Sequence, residues 1–274
     1  IQEITSNPNT SLYKSINMKY ILLILLMVSN LSAQNITKPF TSTDCVVVLG
    51  QSNADYFANY EGPLGDSISG GSKLSYLLKT LWSRDTVPYM VFGRGATFLY
   101  NVHPTINWNI SQDRGYFDSI PLLLNGILTY PTLSYSTGTN FAIGYYRHFN
   151  NIALNIRAVI WLQGENDSQN LTYSNAYQAN LTAFIASLRS QLQKPTLPFI
   201  MVKLGDAYTG TYKTTINTAY DNIALADPNT GTINTSDFTG GTYYIPPSPY
   251  VHYNTKGSNL LATRIITLIT SKGW

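Results

Sequence analysis

Val46-Val47-Val48-Leu49-Gly50-Gln51-Ser52-Asn53 reads as a short buried strand that ends at a glycine and hands on a hydroxyl. Three β-branched residues followed by a leucine suit a strand inside a sheet, and Gly50 closes it. Ser52 falls two residues past the strand, in a tight turn between Gln51 and Asn53. Open α/β sheets gather their chemistry at the carboxyl ends of parallel strands, so Ser52 is the first candidate nucleophile.

The pattern recurs along the chain. A glycine-rich loop follows the first strand, and residues 73–83 then carry Leu74, Leu77, Leu78 and Leu81 at helical spacing. Residues 87–92 read as a second buried strand, running into Gly93-Arg94-Gly95-Ala96-Thr97. Residues 99–137 are aromatic and proline-containing without a clear period, and a stretch that long is expected to form a pocket rim. A helix is expected over 141–152 and a third strand over 156–162, which ends in Gln163-Gly164-Glu165-Asn166-Asp167. The clearest helix, over 173–193, precedes a fourth strand over 199–204. A helix over 214–226, a short fifth strand over 232–234 and a last helix from Thr255 to about Ser271 complete the reading. Strands alternating with helices predict an α/β protein whose central parallel sheet of about five strands is covered on both faces.

Composition narrows the function. With 274 residues the chain can build one large α/β domain. Charged residues make up 11% of it, against about a quarter in typical domains, while tyrosines number 21. Such a polar, weakly charged surface suits an extracellular protein acting on neutral, hydroxyl-rich ligands. The formal charge of +3 comes from scattered lysines and arginines, which argues against nucleic acid as a partner. An apolar run from Tyr20 to Val28 follows Lys19 and exits through small residues to Ala33. This is the layout of a signal peptide, too short to span a bilayer, so no stable membrane insertion is expected. Residues 1–33 are therefore assigned to an upstream segment and signal peptide, 34–274 to the working domain, and the location to outside the cell or the periplasm. Cys45, the lone cysteine, excludes an intramolecular disulfide and reads as a buried structural thiol. No cluster has metal-ligand spacing, so neither metal nor other cofactor is expected.

The ends of the first three strands would lie side by side on one edge of such a sheet. Together they could supply a serine, a glycine N–H and an amide, and ester hydrolysis needs a nucleophile with donors aimed at the developing oxyanion. The missing base is supplied by the late histidine, His252, just before the last helix.

At these residues the chain resembles the SGNH hydrolases, and within them the sialate O-acetylesterase and acetyl-xylan esterase group. Gly50-Gln51-Ser52-Asn53, Trp161-Leu162-Gln163-Gly164-Glu165-Asn166-Asp167, and Val251-His252 with Gly257 are similar to that group's motif blocks, and Gly93-Arg94-Gly95-Ala96-Thr97 is so more loosely. The resemblance implies a three-layer α/β/α, flavodoxin-like SGNH hydrolase fold and removal of acetyl groups from sugars. It makes Ser52 the nucleophile and His252 the base, with the backbone N–H groups of Ser52 and Gly95 in the oxyanion hole. A third donor is Gln163 by the group's own pattern, or Asn166 if the broader Gly-x-Asn-Asp block is the guide. The family's orienting aspartate, three residues before the histidine, is replaced here by Pro249. Glu165 and Asp237 are the candidate substitutes, and Gln51 is a further supporting residue. The expectation is a secreted serine carbohydrate O-acetylesterase working through an acyl-enzyme on an acetylated carbohydrate. The alternative is a catalytically degenerate carbohydrate-binding protein on the same fold. Neither the particular sugar nor the oligomeric state follows from the sequence.

Overall fold

Alternation along β1 (Thr41–Gly50) sends Cys45, Val47 and Leu49 to one face of a sheet and Val46 and Val48 to the other, all fully or almost fully buried. This is seen in a computed structural model that describes residues 41–60, 68–93, 95–100, 108, 152–247 and 250–274. The remaining elements follow in chain order. They are α1 (Ser52–Asn59), α2 (Gly70–Leu81), β2 (Tyr89–Gly93), β3 (Ile152–Leu162), a 3-10 turn (Asp167–Gln169), α3 (Leu171–Gln191), β4 (Phe199–Val202), α4 (Lys213–Ala226), β5 (Thr230–Ile233), a short α5 (Gly240–Tyr243) and α6 (Thr255–Lys272). The upstream segment, the expected signal peptide, most of the pocket-rim stretch, residues 141–151 of the expected helix and Pro249 lie outside the described residues.

The five strands run parallel in the order β2-β1-β3-β4-β5. That is the flavodoxin-like order, and the chain changes direction across the sheet between β1 and β3. Two helical layers cover it. One face packs Val47, Leu49, Trp161 and Met201 against Tyr177, Leu181 and Phe184 of α3 and Ile216 and Tyr220 of α4. The other packs Val46, Val48, Ile160 and Ile200 against Phe57 of α1, Leu74 and Leu78 of α2, and Leu261, Ile265 and Ile269 of α6. Cys45 is fully buried in the first of these layers, and burial pushes its thiol up to about 12, so it is an inert core residue.

Two expectations need correction. Ile152 opens a strand and does not end a helix: β3 begins there because residues 152–156 extend the pairing with β1 down to Thr41. The residues after Gly50 are not a loop but the eight-residue α1, whose Ala54, Phe57 and Ala58 sit at helical spacing and are fully buried. Ser52 is therefore the first residue of a helix.

The strand ends are level. Gly50 stands beside Gly93 of β2 and Leu162 of β3 in the paired register. Gly50 has a φ of 143°, and a Cβ there would come within 2.0 Å of the Leu162 carbonyl oxygen. Only glycine lets the chain turn into α1 this close to β3. We predict that Gly50→Ala lowers unfolding free energy by at least ~2 kcal/mol, since both strain and overlap must be relieved. Chemical denaturation of the purified variant measures this, and stability equal to the parent's contradicts it.

Candidate active site

Ser52 opens α1 with Gln51 as its N-cap, and no side chain caps the helix. The first N–H groups of a helix have no intrahelical acceptor, so the Ser52 N–H is free to meet an anion in front of the turn. Gly95, just past the end of β2, lies alongside: a Cβ on it would stand 3.8 Å from the Ser52 Cβ. From the other side, across 200 positions of sequence, His252 Nε2 comes to 2.9 Å of Ser52 Oγ. Both side chains are half-buried. Burial alone holds the His252 imidazolium below the ordinary histidine range, which favours a neutral ring able to accept a proton. Tyr56, one turn after Ser52, stacks on the imidazole with ring centroids 4.1 Å apart and planes 2° from parallel.

The loop that carries His252 is anchored at several points. The His252 carbonyl accepts from the Ile245 N–H at 2.8 Å, and Tyr253 bridges Tyr244 in antiparallel fashion. Asn53 adds a direct tie to the helix that carries Ser52. Its Nδ2 donates to the Val251 carbonyl at 2.8 Å and to Glu165 Oε1 at 2.5 Å, and its Oδ1 accepts from the Tyr253 N–H at 3.2 Å.

The third strand end does something other than the sequence reading expects of it. Gln163, nominated as an oxyanion donor, is buried with its amide fully committed. Its Nε2 donates to Asp167 Oδ2 at 2.6 Å and to the Thr97 carbonyl at 3.2 Å, while its Oε1 accepts from the Tyr177 hydroxyl at 2.6 Å. An amide nitrogen has two hydrogens and both are in use, so Gln163 is a brace in the wall behind the site. Its carbonyl accepts in turn from the Tyr220 hydroxyl. Asn166, by contrast, is only partly buried, and its side chain makes no hydrogen bond among the described residues. Gln51 is buried in the turn, its N–H donating to the Leu162 carbonyl at 3.0 Å.

Neither proposed stand-in for the missing aspartate touches the imidazole. Asp237 is exposed and makes a two-pronged ion pair with Arg264, at 2.8 and 2.5 Å. That pair holds its carboxyl below the usual range. Glu165 is buried, and its hydrogen bond goes to Asn53, which in turn holds the histidine loop. Among the described residues no carboxylate bonds the second imidazole nitrogen.

Several structural roles at the site are not announced by the motif residues themselves. Asp167 accepts from the Leu99 and Tyr100 N–H groups as well as from Gln163, so it fixes the chain just beyond Gly95. Trp108, in the stretch expected to form a pocket rim, is 1% exposed and meets Trp161 and Phe184 edge-on, so it belongs to the core. Tyr100 stacks on Tyr173 at 4.6 Å and remains partly open. Among the described residues no group of His, Cys, Asp and Glu could hold a metal, and no helix is long and apolar enough to cross a membrane.

A flavodoxin-like sheet with serine, glycine and histidine converging at the β1 switch point defines an SGNH hydrolase fold. Residues 142–270, just under half of the chain, match the family described as carbohydrate esterase, sialic acid-specific acetylesterase. Over that segment the chain is similar in sequence to this family. A solved Arabidopsis thaliana protein superposes with a TM-score of 0.57 at 14% identity, covering 84% of this chain and 98% of its own. A carbohydrate acetylesterase from Xanthomonas citri gives 0.52 at 14%, covering 84% of this chain and 57% of its own. NanS gives 0.51 at 11%, covering 86% of this chain and 98% of its own. These likenesses concern the fold. No curated protein sequence matches the chain.

Burial pushes the Glu165 carboxyl up to about 7, with the Asn53 hydrogen bond opposing it, and the same cause pushes Asp167 up to about 6. A carboxyl raised in the folded state contributes stability that is complete below its unfolded pKa and lost as pH rises through its folded one. Glu165→Gln removes that loss while keeping the oxygen that accepts from Asn53. The variant's melting temperature, relative to the parent's, is therefore expected to climb between pH 5 and pH 8. A difference that stays flat, or falls, contradicts the burial of an ionising Glu165.

Proposed function

We propose that this chain is a serine carbohydrate O-acetylesterase that removes acetyl groups from sugars through an acyl-enzyme. The observation that carries the reading is the 2.9 Å contact between Ser52 Oγ and His252 Nε2 at the head of α1. In the first half-reaction Ser52 Oγ attacks the acetyl carbonyl as His252 Nε2 takes its proton. The oxyanion is met by the backbone N–H groups of Ser52 and Gly95, with the unengaged Asn166 amide as the third donor. Collapse of the intermediate breaks the carbonyl–sugar oxygen bond, and the imidazolium returns its proton to the departing sugar hydroxyl. A water molecule, deprotonated by His252, then attacks the acetyl-serine and releases acetate and free Ser52. Each oxyanion donor of this kind contributes on the order of 3 kcal/mol to the transition state.

Two features of the chain support a neutral sugar ester over a charged or lipid one. The chain is poor in charge, with charged residues at 11%, and an aromatic ring, Tyr56, stacks on the histidine. The location we propose is outside the cytoplasm, on the strength of the apolar run from Tyr20 to Val28. Protein recovered from the medium or periplasm is expected to begin near Gln34, and recovery of uncleaved cytoplasmic protein alone contradicts this.

The chemistry is tested with acetylated sugars and p-nitrophenyl acetate. Ser52→Ala and His252→Ala are each expected to lower kcat by at least ~10³-fold, as loss of a member of a serine–histidine unit does elsewhere. The base must be neutral, so activity is lost as pH falls through the His252 pKa. Burial lowers that pKa, which puts the midpoint of the acid limb of kcat/KM below about 6.5. A limb centred above 7, or activity that survives Ser52→Ala, overturns the mechanism. A second reading, a sugar-binding protein without catalysis, draws on the absence of an orienting carboxylate among the described residues. Covalent capture of Ser52 by a fluorophosphonate rules it out.

A further inference from the structure

We propose that Asn53, braced by Glu165, is the residue that positions His252 on Ser52, in place of the orienting aspartate that Pro249 has displaced. This rests on the serine-hydrolase reading above, and three geometric observations carry it.

First, Asn53 grips both neighbours of His252. Its Nδ2 holds the Val251 carbonyl at 2.8 Å and its Oδ1 holds the Tyr253 N–H at 3.2 Å, so the residue between them cannot slide along the chain or rotate its backbone freely. Second, Asn53 directly follows Ser52 in α1. Nucleophile and histidine loop are therefore fastened to one turn of one helix, and a shift of that helix carries both together. Third, the remaining amide hydrogen is used on Glu165 Oε1 at 2.5 Å, which fixes the plane of the amide and decides which end donates. Every hydrogen-bonding group of the Asn53 side chain is engaged, and it is 4% exposed. Tyr56, stacked face to face on the imidazole, sets the plane of the ring.

An orienting aspartate does two separable things: it fixes the imidazole's geometry and it stabilises the imidazolium by charge. Asn53 performs the first through the backbone. Glu165 stands behind Asn53 and does not touch the ring, so it acts as an acceptor that aims the amide. That assignment separates two variants of one residue. Glu165→Gln keeps an oxygen for Asn53 Nδ2, while Glu165→Leu removes it and leaves the amide unanchored.

The experiment compares Asn53→Ala, Glu165→Gln and Glu165→Leu with the parent, using p-nitrophenyl acetate turnover and the titration of the His252 ring protons by NMR. Asn53→Ala is expected to lower kcat about 10²-fold, the cost of a misplacement of about 1 Å in a reacting group, with KM changed by less than about threefold. Its His252 titration is expected to move up towards the ordinary value near 6.5 as the loop loosens and water enters. Glu165→Gln is expected to stay within about threefold of the parent in kcat, and Glu165→Leu to follow Asn53→Ala. Unchanged kcat in Asn53→Ala overturns the proposal, as does Glu165→Gln as slow as Glu165→Leu, which would make the carboxylate's charge the active element. A parent protein that hydrolyses no ester refutes the functional reading instead. In that event the NMR titration still decides the clamp, because an unmoved His252 in Asn53→Ala refutes it. Should Asn53→Ala not fold, the two Glu165 variants decide it.

Discussion

The close approach of β1 to β3 at Gly50 is the constraint on which the site depends. With no Cβ at Gly50, the chain can turn past the Leu162 carbonyl and enter α1 at once. The same register brings Gly93 level with Gly50 on the other side. The head of α1 is then packed against β2: a Cβ on Gly93 would meet the Asp55 N–H and the Gln51 carbonyl oxygen. Three strand ends thus converge on the first turn of one short helix, and Ser52 stands at its tip. The sheet supplies the stiffness and the head of the helix supplies the Ser52 N–H.

What the sheet does not supply is the histidine, which arrives on a loop from the far end of the chain. In low dielectric a buried amide earns its place by satisfying several partners at once, and Asn53 satisfies three. Behind it, the third strand end forms a buried polar wall. Gln163, Asp167, Tyr177 and Tyr220 bond one another and pin Leu99 and Tyr100, just beyond Gly95. Residues that look like chemistry in the motif therefore divide into those that face Ser52 and those that keep the strand ends in place.

Much of the fold is legible in the sequence because hydrophobic periodicity reports burial directly. The fully buried strands read as apolar runs, and the long α3 reads from Leu181, Phe184, Ile185 and Leu188. The helix α1 is harder to read, since its apolar stripe is three residues long and it follows a motif that looks like a turn; Ala54, Phe57 and Ala58 were the available signal. At the site, Ser52 and His252 stand out by residue type. The reassignment of Gln163 could not be read, because an amide looks the same whether it faces substrate or a buried aspartate. The clamp at Asn53 was equally hidden, for Glu165 lies 112 positions away and its other two partners, 198 and 200 positions away, are backbone groups that carry no sequence signal.

An acyl-enzyme mechanism requires that Ser52 form a covalent bond with an acyl group. Rapid quenching of the protein with excess p-nitrophenyl acetate, followed by peptide mass spectrometry, measures this directly. The expected result is a transient gain of one acetyl mass on the peptide that contains Ser52, absent in Ser52→Ala. Ester turnover with Ser52 unmodified at every time point, or acetyl groups spread over surface lysines alone, contradicts it.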